Sequence, residues 1–360
     1  MASKGSVLVA MSGGVDSSVA ACLLAEQGYE VMGSHMRLVH LDDVEHGCCG
    51  PAARADAEAV AAIGGFPFEI AEMTTEFTEQ VIDDFVAEHA EGRTPNPCAR
   101  CNGEIKFGAL LRRADALGLD AVATGHYVRS TRGEDDRWHL WRGADAAKDQ
   151  TYMLHMLGQR QLARSMFPVG GLSKAETRMH AERFGLPVAG KPDSQELCFA
   201  PSGDAGAFVR SNAPVLVHPG GEVVDARGEV LAEHDGTYRF TVGQRRGLGV
   251  ALGEPAYVVE VDAPRNRVVV GPEELLSRRG LVADRASWVA GDPPSAGPFE
   301  ADVRVRYRGD DVPAVIEPSG PASFTVTFRS PERAVAPGQS AVIYRGPELL
   351  GGGRIVSTFR

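Results

Sequence analysis

The chain has 360 residues, 43% of them hydrophobic and 24% charged, and a formal net charge of −11; that is the profile of a soluble globular protein of two or three domains. No apolar run approaches the roughly 18–20 residues that span a bilayer, and the short apolar run at 7–11 reads as a buried strand rather than a signal peptide, so no membrane association and a cytoplasmic location are expected. The negative balance excludes a protein that grips nucleic acid by overall charge, but not one with a local basic face; the acidic excess sits in the first 205 residues, and the stretch from 278 onward is slightly basic.

The first half alternates strand and helix. Residues 6–11 read as an apolar strand, followed by a Gly/Ser turn and a helix over about 17–27 that stops at Gly28. The alternation continues with a strand over 31–36, a long polar insertion, a helix over 52–63 and a strand over 66–71. Helices over 77–90 and 104–117 and a strand over 121–124 follow. This order predicts a doubly wound α/β domain with a parallel sheet. Ser173 and Glu176 have capping-box spacing and open a helix that ends at Gly185. Beyond Pro201, β-branched runs at 215–217, 257–261, 268–270, 301–307, 314–316, 324–328 and 341–344 alternate with Gly-, Pro- and Asn-rich turns, the spacing of β-barrel or sandwich modules. The expected organisation is an α/β domain over 1–205, a small β-rich domain over 206–277 and a β-barrel over 278–360.

The six cysteines do not read as a disulfide framework in a chain expected to stay in a reducing compartment. Cys22 falls in an apolar helical run and reads as core. Cys48 and Cys49, with His40, Asp42, Asp43, Glu45 and His46, make a cluster that could ligate a metal, but a polar insertion of this kind reads first as a solvated loop. Cys98 and Cys101 form a C-x-x-C pair beside Asn96, whose flanking prolines predict an exposed loop. A zinc knuckle needs a second such pair, which the sequence lacks. Cys198, between Leu197 and Phe199, suits a core as well as a reactive site. His155 and His180 lie in helical runs and read as structural.

The segment from Ala10 and Met11 through Ser12, Gly13, Gly14, Val15, Asp16, Ser17 and Ser18 joins the first strand to the first helix. Two glycines permit close backbone approach to a ligand, and successive amides at a helix N-terminus attract an anion. The serines add hydroxyl donors, and Asp16 is placed to hold Mg²⁺. The spacing is not that of a Walker loop, which needs its lysine. S-G-G-x-D-S instead resembles the signature of the PP-loop ATP pyrophosphatases, which adenylate a substrate. That superfamily also includes amide- and amidine-forming ligases.

Thr94-Pro95-Asn96-Pro97-Cys98-Ala99-Arg100-Cys101-Asn102, followed by Glu104-Ile105-Lys106-Phe107, resembles the hallmark of the tRNA-specific 2-thiouridylases. Gly125-His126-Tyr127, Lys148-Asp149-Gln150-Thr151-Tyr152, Ser194-Gln195-Glu196-Leu197-Cys198-Phe199 and Gly243-Gln244-Arg245-Arg246-Gly247-Leu248-Gly249 match the same family in the same order. The resemblance implies ATP-dependent 2-thiolation of the wobble uridine, U34, of tRNA, with ATP and Mg²⁺ as cofactors. It makes Cys101 the nucleophile and Cys198 the persulfide carrier, joined transiently by a disulfide. Met36 and Gly125 join the phosphate loop in binding ATP. Asn96, Pro97 and Cys98 surround the target base, while Lys148, Asp149, Gln150, Arg306 and Tyr307 contact tRNA, and Arg245 and Arg246 are candidates for its backbone. A cysteine desulfurase or sulfur-relay protein is the implied donor. Many relatives carry aspartate where this chain has Cys98. That departure leaves a second route open, in which Cys98, Cys101 and Cys198 ligate a [4Fe–4S] cluster. The rival readings are another adenylating PP-loop ligase, which leaves the cysteines without work, and a non-catalytic protein that binds tRNA and ATP.

Overall fold

The computed structural model describes residues 3–39, 50–193, 197–200, 204–213, 220–250 and 253–360. The α/β part contains strands β1 (Ser6–Ala10), β2 (Glu30–Arg37), β3 (Phe68–Glu72) and β4 (Ala121–Ala123), a hairpin of β5 (Val128–Arg132) and β6 (Trp138–Arg142), and the short β7 (Ser165–Met166). Its sheet has the order β3-β2-β1-β4-β7 and every pairing is parallel. Helices α1 (Val15–Glu26) and α2 (Pro51–Gly64) pack on one face, where Val7 and Val9 of β1 enter an apolar cluster with Val19 and Val60. Leu8 and Ala10 point the other way, into a cluster with Phe77, Phe85, Ile105 and Leu110. Strand residues alternate in direction, so a sheet covered on both faces needs apolar side chains at every position of its central strand. Burial pushes the Cys22 thiol up to about 11, in keeping with a core cysteine.

The predicted helix that ends at Gly185 is present as Lys174–Arg183, with both capping-box bonds made between Ser173 and Glu176. The exposed loop expected around Asn96 is not. A helix starts there: Asn96 caps it by accepting from the Ala99 amide, and Pro97 takes the first helical position. Proline's fixed φ and missing N–H suit that position. The helical path continues over 97–117 and includes a π-helical stretch, Cys101–Ala109. Cys98 therefore lies on the exposed first turn, and Cys101 turns into the core.

The middle part carries β8 (Gly221–Val224), β9 (Val230–His234), β10 (Tyr257–Asp262) and β11 (Arg267–Gly271) in a sheet of order β10-β11-β8-β9. The last part carries β12 (Ser277–Trp288), β13 (Phe299–Arg304), β14 (Val312–Gly320), β15 (Ser323–Arg333), β16 (Ser340–Arg345) and β17 (Glu348–Phe359), and pairing of β12 with β17 closes these six strands into a barrel. The strand expected over 301–307 stops at Arg304, and Arg306 and Tyr307 enter a turn closed by the Gly309 amide on the Arg306 carbonyl. The expected strand at 215–217, the cluster from His40 to Cys49, and Ser194, Gln195 and Glu196 lie outside the described residues.

A shared sheet and a buried ion network are among the contacts that fasten the α/β part to the barrel. The β5–β6 hairpin extends the barrel sheet, with Leu140 opposite Leu349 and Trp141 opposite Glu348. Glu88, only 2% exposed, accepts from Arg93 at 2.6 and 3.0 Å and pairs with Arg354 of β17. Arg354 also pairs with Asp284, and the Arg285 guanidinium lies 3.7 Å from Glu88. Removing one member of a buried ion network leaves uncompensated charge behind, at a cost of about 3–5 kcal/mol. Glu88→Ala is expected to lose stability on that scale, and urea unfolding measures it; a loss under 1 kcal/mol contradicts the assignment.

Candidate functional site

The segment Ser12–Ser18 caps the carboxyl edge of the sheet, where open α/β folds bind ligands. Gly13 has φ +69°, and a Cβ there would stand 2.0 Å from the Ala53 carbonyl oxygen. Ser17 Oγ takes the Ser12 amide at 3.2 Å, and Ser18 Oγ donates to the Gly14 carbonyl at 2.8 Å. Lys191 Nζ fixes the turn from outside, donating to the Gly13 carbonyl at 2.9 Å and to Asp56 at 2.7 Å. Gly125, just past β4, abuts the same turn: a Cβ there would lie 2.5 Å from Asp16 C and Ser17 N. Met36, at the end of β2, is buried in the adjoining cluster.

Asp16 opens α1 and faces a group of cations. Its carboxylate accepts from Lys174 Nζ at 2.7 and 2.9 Å and from the Tyr127 hydroxyl at 2.8 Å. Burial, with Asp16 and Asp193 nearby, raises the Tyr127 hydroxyl, so it stays protonated and donates. Lys174 also reaches Asp193 at 2.6 Å, and Lys148 Nζ bonds the other Asp193 oxygen at 2.8 Å. The sequence reading did not single out Lys174, Lys191 or Tyr127 as site residues. Tyr127 belongs to the Gly125-His126-Tyr127 motif, whereas Lys174 lies 158 residues after Asp16 and Lys191 178 after Gly13, so only folding brings them to the loop.

A second group gathers where the parts of the chain meet. The Thr94 amide donates to the Pro337 carbonyl, and its hydroxyl bonds Thr241 at 3.0 Å. Asn96 Nδ2 reaches Ser340 Oγ at 3.5 Å, and Gln339 donates to the Thr94 carbonyl at 2.8 Å. Helix 97–117 thus starts against both β modules, with Cys98 exposed at its mouth. Tyr307 faces the same place: burial raises its hydroxyl, Asp149 and Cys98 raise it further, and Arg308 and Lys148 act in the opposite sense. The Tyr307 ring lies 6.1 Å from that of Tyr152. Arg306 is half exposed and pairs with Glu332 at 3.3 Å.

Asp149 is held inside this seam. It accepts from the Thr151 hydroxyl at 2.8 Å and from the amides of Gly143 and Thr151 at 3.3 Å, with Arg142 and Arg304 at 3.9 Å. Both guanidiniums also lie over the Tyr344 ring and pair with Asp311. Of the expected tRNA triplet, Lys148 is partly exposed and Gln150 accepts from the Tyr127 amide at 2.9 Å, while the buried Asp149 carboxylate supports its surroundings from within. Arg245 and Arg246 are exposed in the middle part.

Cys101 belongs to the large apolar cluster of the α/β part, and Cys198 packs against that same cluster from 97 positions later. Among the described residues no three His, Cys, Asp or Glu side chains are gathered closely enough to hold a metal ion. As placed, Cys98, Cys101 and Cys198 do not form a [4Fe–4S] ligand set, because Cys98 faces solvent and Cys101 the core. Mg²⁺ makes no such demand: it needs one or two carboxylates plus substrate phosphates, and Asp16 beside the serine hydroxyls fits it.

Comparison with known proteins gives three consecutive family matches: a tRNA methyl transferase HUP domain over residues 5–202, a tRNA methyl transferase PRC-barrel domain over 212–272, and an aminomethyltransferase beta-barrel domain over 278–355. The chain is 48% identical over 354 residues to the tRNA-specific 2-thiouridylase MnmA of Chloroflexus aurantiacus, covering 97% of this chain and 98% of the relative. It is 49% identical over 358 residues to the protein of that name from Geobacter metallireducens, covering 97% and 96%. Among solved structures, a 4-thiouridine synthetase–RNA complex with bound ATP overlaps at a TM-score of 0.35 with 18% identity, over 59% of this chain and 51% of the other.

Gly125→Ala places a methyl group against the phosphate turn. It is expected to weaken ATP binding tenfold or more, about 1.4 kcal/mol, and to cost about 1–3 kcal/mol of stability, because the backbone of the turn has to shift. Calorimetric titration with ATP measures the effect, and unchanged affinity contradicts the packing argument.

Proposed function

The chain belongs to the family of tRNA-specific 2-thiouridylases, and from that membership we infer that it is an ATP-consuming transferase that replaces the 2-oxygen of a tRNA uridine with sulfur. The observation that carries the reading is the two-part site: a phosphate-binding turn on the sheet edge, and a cysteine-bearing helix start at the seam with the barrel.

The chemistry follows from what each part offers. The turn from Ser12 to Ser18 holds the triphosphate through backbone amides and hydroxyls, Asp16 would hold the Mg²⁺ that neutralises it, and Met36 and Gly125 flank the nucleoside. The uridine is U34, in an anticodon loop whose unpaired bases can be splayed into a pocket. Asn96, Pro97 and Cys98 line that pocket, with the Tyr307 ring available for stacking and Arg306 for phosphate. Attack of the uracil O2 on the α-phosphorus forms the adenylate and releases pyrophosphate.

Sulfur arrives as a persulfide on Cys198, delivered by a cysteine desulfurase or a relay protein. Its terminal sulfur attacks C2 and AMP leaves with the former O2, so C2 is bonded to Cys198 through a disulfide. The Cys101 thiolate attacks Cys198 Sγ, the sulfur–sulfur bond to C2 breaks, and 2-thiouridine departs. The pair of electrons gained by the transferred sulfur leaves a Cys101–Cys198 disulfide, which an external dithiol reduces before the next turnover. No step is routed through an iron–sulfur cluster. Asp149 acts as a positioning residue: through Arg304 it fixes the end of β13, two residues before Arg306.

Incubation with ATP, a persulfide donor and tRNA, followed by nucleoside mass spectrometry, tests this function. The wild type is expected to form 2-thiouridine, and Cys101→Ser to form less than about one part in a thousand as much while still releasing pyrophosphate. Thiolation at the wild-type rate in Cys101→Ser removes Cys101 from the reaction.

A further inference from the structure

We propose that Asp193 is the internal counter-ion of the phosphate site, holding Lys174 and Lys148 until the phosphates of ATP displace it. The proposal rests on the reading of Ser12–Ser18 as the ATP turn, and adds what occupies that turn's cationic wall beforehand.

The Lys174 side chain is only 13% exposed, and an ammonium has three N–H bonds to give. Three carboxylate oxygens meet it: Asp16 Oδ1 at 2.7 Å, Asp16 Oδ2 at 2.9 Å and Asp193 Oδ1 at 2.6 Å. Lys148 secures the second Asp193 oxygen at 2.8 Å, and the Arg178 guanidinium stands 4.0 Å from the first. Burial alone would raise the Asp193 carboxyl, but Lys148 and Lys174 outweigh it and keep the group below its usual range, hence ionised.

Each of these pairs occupies a role that Mg²⁺·ATP claims. Asp16 pairs with Lys174, where Mg²⁺ would otherwise neutralise it, and Lys174 pairs with Asp193, where a phosphate oxygen would otherwise sit. An anion with several charges competes better for a lysine than one carboxylate does. On binding, Lys174 exchanges Asp193 for phosphate and like-charge repulsion expels Asp193, while Asp16, released from Lys174, would hold Mg²⁺. Its release also frees Lys148, which lies in the segment assigned to tRNA. Asp193 therefore lowers the affinity for nucleotide and connects the occupancy of the phosphate turn to a cation on the tRNA-facing side.

Calorimetric titration of the full chain with inorganic pyrophosphate, and separately with Mg²⁺·ATP, tests the exchange. Asp193→Asn, and Asp193→Ser as an independent variant, are expected to bind pyrophosphate roughly fivefold tighter or more, and Lys174→Gln at least tenfold weaker. In the Lys174→Gln background, Asp193→Asn should gain no more than about twofold, because the shared partner is gone. Unchanged or weaker binding in folded Asp193 variants of a protein that binds both ligands overturns the counter-ion role alone. A wild type that takes up neither ligand overturns the ATP reading as well.

Discussion

A carboxylate shut away from water at the junction of two domains constrains everything around it. Asp149 is that group. Its oxygens are satisfied by the Thr151 hydroxyl and two amides, with two arginines held close by Tyr344 and Asp311. A buried charge is tolerated only while its partners stay in place, so the hairpin arginine, Arg142, and the barrel arginine, Arg304, are tied to one point. Arg304 ends β13, and the turn that follows carries Arg306 and Tyr307. Glu88 repeats the device on another flank with Arg93 and Arg354. Burying these charges adds little net stability; what it fixes is relative position.

That position matters because the chemistry is divided between domains. The α/β part supplies the phosphate turn and both cysteines assigned to sulfur, while the barrel supplies Tyr307 and, through Gln339 and Ser340, the brace against which the Asn96 helix starts. The proposed base pocket is the place where these surfaces face one another. The phosphate turn is held differently, by close packing: Gly13 and Gly125 leave no room for a Cβ, and Lys191 fixes the turn from outside. Close-packed backbone thus surrounds the ion pairs of Asp16, Lys174 and Asp193, the pairs that the proposal has triphosphate exchange.

The alternation of strands and helices was legible because the central strand β1 buries both faces and reads as a continuous apolar run, and glycines mark where helices stop. The S-G-G-x-D-S turn was legible because its residue types have few other uses between a strand and a helix. Three features were not, each for a physical reason. Prolines on both sides of Asn96 suggested a loop, yet the same dipeptide is a helix cap followed by a first-turn proline, and local sequence does not choose between them. The hairpin at 128–142 is half polar and gains its partner only from β17, more than two hundred residues later. Lys174 reads as an ordinary first-turn residue behind its capping serine, since nothing nearby announces that Asp16 and Asp193 converge on it. Cys101 and Cys198 were paired by resemblance; spacing alone leaves either one as plain core.

The proposed sulfur transfer depends most on two thiols, 97 positions apart, meeting at the seam. Mild oxidation of the native protein with diamide, followed by alkylation, proteolysis and mass spectrometry, measures that meeting directly. A dominant peptide pair linked through Cys101 and Cys198 is the expected result. A dominant Cys98–Cys101 link, or no link to Cys198 under conditions that leave the protein folded, would contradict the sulfur-transfer geometry.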